Sequence, residues 1–321
     1  MAVDPHQPVS RDESEALIAA IEGRTAEAND GIFGPGSLTW RINRESALFL
    51  GAGRAALLQL AHPWVAVALE QHSHVMSRPI ERFHNTFRIV FTMIFGTLEQ
   101  AKRAARHLYE LHTHIEGEMP EAVAQWERGS HYQANEIAAL RWVYATLVES
   151  AVMAYEFVFP PLSVGDLEAY YAESRVMAAL FGLPGDALPA NWNSFLGYCR
   201  SMEASSELGV SDKARAMGHG LLRGAGSWIK PPRWYRALTA EWLPARFRAE
   251  FGLANAPADE AALARARRWF PRVYGTLPRA LRFVGPYQEA RARLAGRRPG
   301  LVARAGNRFW IGEWVMPFGE I

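Results

Sequence analysis

A single cysteine, Cys199, stands in a chain of 321 residues. One thiol cannot close a disulfide within the chain, complete a zinc ribbon or hold a cysteine-ligated iron–sulfur cluster. Its neighbours Phe195, Leu196, Tyr198 and Met202 recur at helical spacing, which reads Cys199 as a small buried hydrophobe. An excess of charge is also missing, since 35 basic and 33 acidic residues leave a formal net charge of +2. That balance does not suit a nucleic-acid binder, which needs basic residues gathered on one face. Arginines do cluster between Arg265 and Arg308, and they read as a solvated, weakly basic C-terminal surface. Long hydrophobic runs are absent too. The most apolar stretch, 47–69, is interrupted by Arg54, Gln59, His62 and Pro63, whereas a membrane span needs roughly 20 unbroken apolar residues. No transmembrane segment is expected. The polar start MAVDPHQPVSRDE lacks a basic region followed by an apolar one, so a cytoplasmic location is expected.

Strand-type alternation is weak almost everywhere. The pair Asp30-Gly31 has no alternating flanks and reads as a loop, not a hairpin. What remains is helix after helix. The pattern predicts helices over 12–21, 45–72 with a break at Pro63, 79–96, 98–115, 135–159 and 163–180. Shorter ones follow at 191–203, 211–222, 232–251, 258–270 and 275–295. Gly51 and Gly53 lie inside an apolar helical stretch, where they permit close approach of another helix or of a flat ligand. The eleven tryptophans suit a large apolar cavity as well as a filled core. No internal repeat appears, and no linker demands a second domain. The expected fold is all-α: an N-terminal arm and first helix over 1–34, one domain of about ten helices over 35–296, and an irregular tail over 297–321 packed on it.

Two polar residues interrupt apolar helix faces. Ala101, Ala104, Ala105, Leu108, Leu111, His112 and Ile115 follow the spacing of one buried face. His112 therefore points inward, while His114 lies about 200° round the helix. A buried imidazole needs a hydrogen bond or a metal, and on spacing alone a hydrogen-bonded core histidine is the commoner case. On the preceding helix Arg82, Thr86, Val90 and Met93 share a stripe, bordered by Asn85. An arginine there requires an anionic partner, which a glutamate or a ligand carboxylate could provide.

These residues fall in an ordered series. It comprises Leu60-Ala-His62-Pro63, His72-Ser73, Arg82-Phe-His-Asn-Thr86, Leu111-His112-Thr-His-Ile-Glu-Gly117, Tyr132-Gln-Ala-Asn135, Arg141-Trp-Val-Tyr144-Ala-Thr-Leu147 and Leu243-Pro-Ala-Arg246-Phe, followed by Phe251-Gly-Leu253. The series resembles the MpaB/rubber-oxygenase family over roughly residues 35–290. The resemblance implies an all-α fold enclosing non-covalently bound haem b, and the chain has no Cys-x-x-Cys-His for covalent attachment. It also implies His112 as the single protein ligand to the iron, with dioxygen bound opposite. Arg82 and Thr86 would line the haem pocket, Arg82 pairing with a propionate or polarising oxygen. Arg82, Asn85 and Thr86 are thus the catalytic positions to test.

Two positions depart from the family pattern. Latex-clearing members carry a lysine where Asn85 stands, and a neutral amide lacks a basic lone pair. Tyr144 replaces the histidine of the Trp-Val-His pattern, and a phenol does not titrate near neutrality. With the missing export signal, these changes argue against extracellular rubber and for a small apolar substrate inside the cell; the expected substrate is apolar or unsaturated, an isoprenoid being one such class. An electron donor would also be required. A haem-binding protein without turnover and a peroxidase-like enzyme on an aromatic small molecule are the alternatives. His72 reads as a residue closing a helix end, and His62 as one satisfying carbonyls freed at Pro63. Trp142 reads as core. Glu149 and Glu156, one heptad apart on the long helix, could supply a general base.

Overall fold

The apolar stretch after Asn135 forms the axis about which the other helices gather. The computed structural model describes residues 4, 6–25, 27–73, 78–227 and 230–319. Its first half contains α1 (Arg11–Glu22), α2 (Leu38–Asn43), α3 (Ala52–Leu60), α4 (Pro63–His72), α5 (Pro79–Phe95) and α6 (Leu98–Thr113). A small antiparallel hairpin of β1 (Glu116–Glu118) and β2 (His131–Gln133) leads into the axial helix α7 (Ile137–Val158). Then come α8 (Val164–Leu180), α9 (Trp192–Ala204), α10 (Asp212–Arg223), α11 (Arg233–Trp242) and α12 (Ala245–Glu250). The last four are α13 (Pro257–Thr276), α14 (Arg279–Arg282), α15 (Gly285–Leu294) and α16 (Leu301–Ile311).

Local chemistry sets the ends. Ser10 and Glu13 form a capping box on α1, and Thr97 and Gln100 form another on α6. Proline begins both α4 and α5, where its missing N–H costs nothing. Pro160-Pro161 stops α7 after an extended Phe159. The stretch read as one helix over 45–72 is a short 3-10 turn at Ser46–Leu50 followed by α3 and α4. Similarly, Leu243-Pro244 divides α11 from α12.

Two expectations are corrected. The 116–133 region pairs as a hairpin, with strands of three residues that are too short to show alternation. The segment after Arg297 is not irregular. Ala303, Asn307 and Ile311, four residues apart, are buried along one side of α16. Exposed Leu301, Val302 and Phe309 blur that period in the sequence.

Helix α7 is apolar nearly all round because it is enclosed. It has the length and composition to cross a membrane, but 72% of its most apolar window is buried in the fold, as for a core helix. Trp142 donates its indole N–H to the Leu58 carbonyl of α3 at 2.8 Å. A Cβ on Gly51 would come within 2.4 Å of the Ser150 carbonyl oxygen, and one on Gly53 within 2.6 Å of Thr239 Oγ1. The two glycines therefore admit α7 and α11, and the approaching group is protein.

One buried cation bolts this region. Arg54 reaches Glu149 at 2.6 Å, Glu203 at 3.4 Å, Ser150 Oγ at 3.0 Å and the Trp242 carbonyl at 3.0 Å. It thereby joins α3, α7, α9 and α11. Burial, reinforced by the charge of Glu149, raises the Glu203 pKa from 4.5 to about 7. A carboxyl whose folded pKa is raised contributes stability that is fully present below pH 4.5 and lost as the pH climbs through about 7. Glu203→Gln removes that loss. The variant should gain about 2–3 kcal/mol relative to the parent between acid and neutral pH. Denaturant unfolding at both ends of this window measures it, and parallel profiles would show that Arg54 already offsets the burial.

Candidate functional site

Helices α5 and α6 pack closely beside the turn that joins them and part further along. Near the turn, Ala101, Ala104 and Ala105 of α6 and Phe91, Ile94 and Phe95 of α5 are buried. Beyond them, Leu108, Leu111 and His112 of α6, Ile115 just past its end, and Arg82 to Val90 of α5 (His84 apart) open onto a cavity of about 900 Å³. Helices α3, α4 and α7 complete the wall with apolar side chains such as Leu57, Leu60, Leu140 and Val143. A volume of this order suits a cofactor or substrate pocket, roughly 300–1,000 Å³. Arg82, Asn85, Thr86 and His112, drawn from two helices, all face this one space.

The electrostatics are set by exclusion of water. His112 Nδ1 is enclosed and meets no hydrogen-bond partner. Burial, then the nearby charge of Arg82, lowers the His112 pKa to about 4, so the ring is neutral at physiological pH. A side-chain interaction of hydrogen-bond type with Asn135 opposes this shift, and Asn135 Nδ2 donates to the Tyr109 carbonyl at 3.4 Å. Arg82 lines the cavity while remaining partly exposed, and desolvation by the atoms around it lowers its pKa. Among the described residues no acid pairs with it. The other guanidinium on the wall, Arg88, is paired with Glu313 at 3.3 Å. Thr86 donates its hydroxyl proton to the Arg82 carbonyl at 3.1 Å, leaving only acceptor lone pairs for a ligand. Asn85 adds a neutral amide.

Several neighbouring expectations change. His72 lines the cavity, but its Nε2 lies 3.1 Å from both the Glu116 carbonyl and Tyr132 Oη. It fastens α4 to the hairpin and leaves the carbonyls of its own helix alone. His62 does not satisfy carbonyls at Pro63 either. Its Nδ1 has no partner, and its ring stacks on Trp126 at 6.1 Å, while the Ala61 carbonyl accepts from the Gly209 N–H. Glu149 pairs with Arg54, and Glu156 accepts from the Leu162 N–H at 2.9 Å. Neither lines the cavity. Tyr144 does, yet its hydroxyl lies 2.7 Å from Ser174 Oγ and burial drives its pKa sharply up, so it stays a neutral phenol. Cys199 is buried, as its spacing suggests.

One part of the wall has no local signal in the sequence. Glu313, Pro317 and Phe318 close one side of the cavity from more than two hundred residues away, with Phe318 against the His107 ring at 5.4 Å. No local periodicity reports such a contact. A second depression of about 760 Å³, near Arg248 and Arg267, is more open and carries no histidine.

Comparison with known proteins bears on this arrangement. The family model described as ER-bound oxygenase mpaB/B′/rubber oxygenase, catalytic domain, matches residues 39–272. No curated protein and no solved structure matched the chain. The matched span runs from α2 through most of α13 and holds most of the cavity wall and all four residues above, and the chain belongs to this family of oxygenase catalytic domains.

Proposed function

We propose that the protein is a haem b-dependent oxygenase that acts with dioxygen on a small apolar, unsaturated organic substrate. One observation supports this most directly: His112 and an arginine with no ion pair among the described residues, Arg82, line one largely apolar cavity. No trio of His, Cys, Asp or Glu among the described residues could hold a bare metal ion. A lone histidine keeps a metal only when a cofactor brings the remaining ligands. A flat, apolar macrocycle with carboxylate arms meets each of these demands, the metal at His112 and a carboxylate at Arg82.

When bound, haem would supply an iron centre able to activate dioxygen for oxygen transfer to an organic substrate. His112 would hold the iron, and its low pKa keeps the ring available as a neutral ligand. Arg82 would hold a propionate in a charge-assisted bond strengthened by the dry surroundings. Thr86 and Asn85 place small polar groups beside it without a titrating proton. The aliphatic wall excludes water and selects an apolar substrate. Glu313 is the one carboxylate on the wall among the described residues, and Arg88 holds it, so no free base is placed there.

Haem supplementation should produce a Soret band that His112→Ala abolishes. No band in the supplemented parent would refute the reading. Loss of the Arg82 charge-assisted bond is worth about 1.5–3 kcal/mol, so Arg82→Ala should weaken haem retention about tenfold to a hundredfold in transfer to an apo-globin acceptor. The band should also survive acid. A histidine with a depressed pKa stays neutral, and able to ligate, down to about pH 4, whereas loss near 6.5 would mark an ordinary exposed imidazole. Oxygen uptake with a panel of unsaturated lipids and terpenoids tests turnover, and haem binding without uptake would make the protein a carrier.

A further inference from the structure

From Ala261 to Gly312 the sequence has twelve arginines and one acidic residue, Glu289. That acid is turned inward, where it accepts from Asn307 Nδ2 and, at 2.9 Å, from the Met316 N–H. Arg267 and Arg282 are paired with Glu241 and Glu45. Among the described residues, Arg279, Arg297, Arg298, Arg304 and Arg308 form no ion pair, unlike Arg54, Arg106 and Arg246 elsewhere. This side of the molecule therefore carries cations without counter-charges.

Apolar side chains stand out among them. Helix α16 presses Ala303, Asn307 and Ile311 inward. Leu301, Val302, Ala305 and Phe309 fall within about 100° of arc on the opposite side, with Arg304 and Arg308 along one edge. Leu301 is 81% exposed and Val302 56%, and Leu281 on the neighbouring α14 is 64% exposed. Trp314 and Val315, just past the helix, are about half exposed, and the Arg304 guanidinium lies 5.7 Å from the Trp314 ring centre. A face that is apolar outward and edged with arginine needs an apolar and anionic cover.

We infer that α16 and the segment after it dock this protein on an anionic lipid bilayer surface. Leu301, Val302, Phe309 and Trp314 enter the headgroup layer, and the unpaired arginines meet lipid phosphates. The charge argues against a second copy of the same face, since each would bring its arginines against the other's. The protruding aliphatic side chains Leu281, Leu301 and Val302 argue against nucleic acid, because they offer a base edge neither a hydrogen bond nor a stacking surface. The geometry also joins this face to the cavity. Two residues beyond Val315, Pro317 and Phe318 line the cavity wall, which places the pocket beside a reservoir of apolar substrate. The inference concerns binding alone and does not depend on the cofactor.

Vesicle flotation of the full chain tests it, with phosphatidylcholine alone and with roughly one-third phosphatidylserine added. The anionic vesicles should bind at least about tenfold more tightly, in a salt-sensitive manner, with Trp314 emission shifting to the blue. At about fivefold per lost cation, R297E/R298E/R304E should reduce binding more than tenfold. L301D/V302D should reduce it as well while leaving the melting curve unchanged, because both side chains are already in water. Absence of flotation with anionic vesicles, or unaltered binding by either variant, would overturn the proposal. So would RNA binding without flotation, or a solution dimer that L301D/V302D dissociates, each of which assigns the face to another partner.

Discussion

A guanidinium facing an apolar cavity with no acid in reach is the constraint around which the site is organised. Removing a charge from water costs several kcal/mol unless a partner repays it. Arg82 has none among the described residues, and its pKa falls as a result. Its field and the same dryness act on His112, which is thereby held neutral. The two effects are linked: a wetter cavity would relax Arg82 and also return the imidazole towards its ordinary titration. A fold with a full core could have closed this space by letting a carboxylate reach Arg82. Among the described residues the one carboxylate on the wall is bound to Arg88, which leaves Arg82 open to an anionic ligand.

Rigidity of the surrounding helices keeps that opening from collapsing. Helices α5 and α6 are clamped at their turn by alanines and aromatic rings, and the hairpin is tied to α4 through His72, Tyr132 and Gln71. The Tyr132 hydroxyl donates to Gln71 at 2.7 Å, which fixes the edge of the wall opposite α5. On the far side, Gly51 and Gly53 bring α3 against α7 and α11 without a Cβ between them. Arg54 then holds α3 by hydrogen bonds to three helices. The walls are thus held from outside the cavity, and a void can persist although dispersion favours filling it.

Much of this was legible in the sequence. Helical periodicity placed Arg82, Thr86 and His112 on inward faces because inward faces repeat locally. Capping residues and prolines marked most helix ends for the same reason. Three things escaped. The hairpin strands are too short to alternate. The periodicity of α16 is hidden by apolar residues on its exposed side. The contact of Phe318 with His107 spans some two hundred residues, and no local pattern encodes it. Histidines misled in a different way. His62 and His72 were expected to bond helix carbonyls, but ring stacking and the hairpin claimed them instead, and both contacts are tertiary.

The obscured helix α16 is where cavity and surface meet. Its inner side packs Trp310 on Phe49 at 4.3 Å, and Phe49 touches Phe83 and Phe87 of the cavity wall. Its outer side is the apolar, arginine-edged face. The segment that follows alternates between the two. Glu313 reaches the cavity, Trp314 and Val315 turn outward, Met316 is buried, and Pro317 and Phe318 return to the cavity. Phe318 adopts a positive φ of 62°, which costs a residue with a side chain about 1 kcal/mol or more, while Arg103 holds its carbonyl. Gln100 donates to the Pro317 carbonyl at 3.0 Å as well, so the segment that carries the exposed Trp314 and Val315 is fastened to α6 and forms part of the pocket wall.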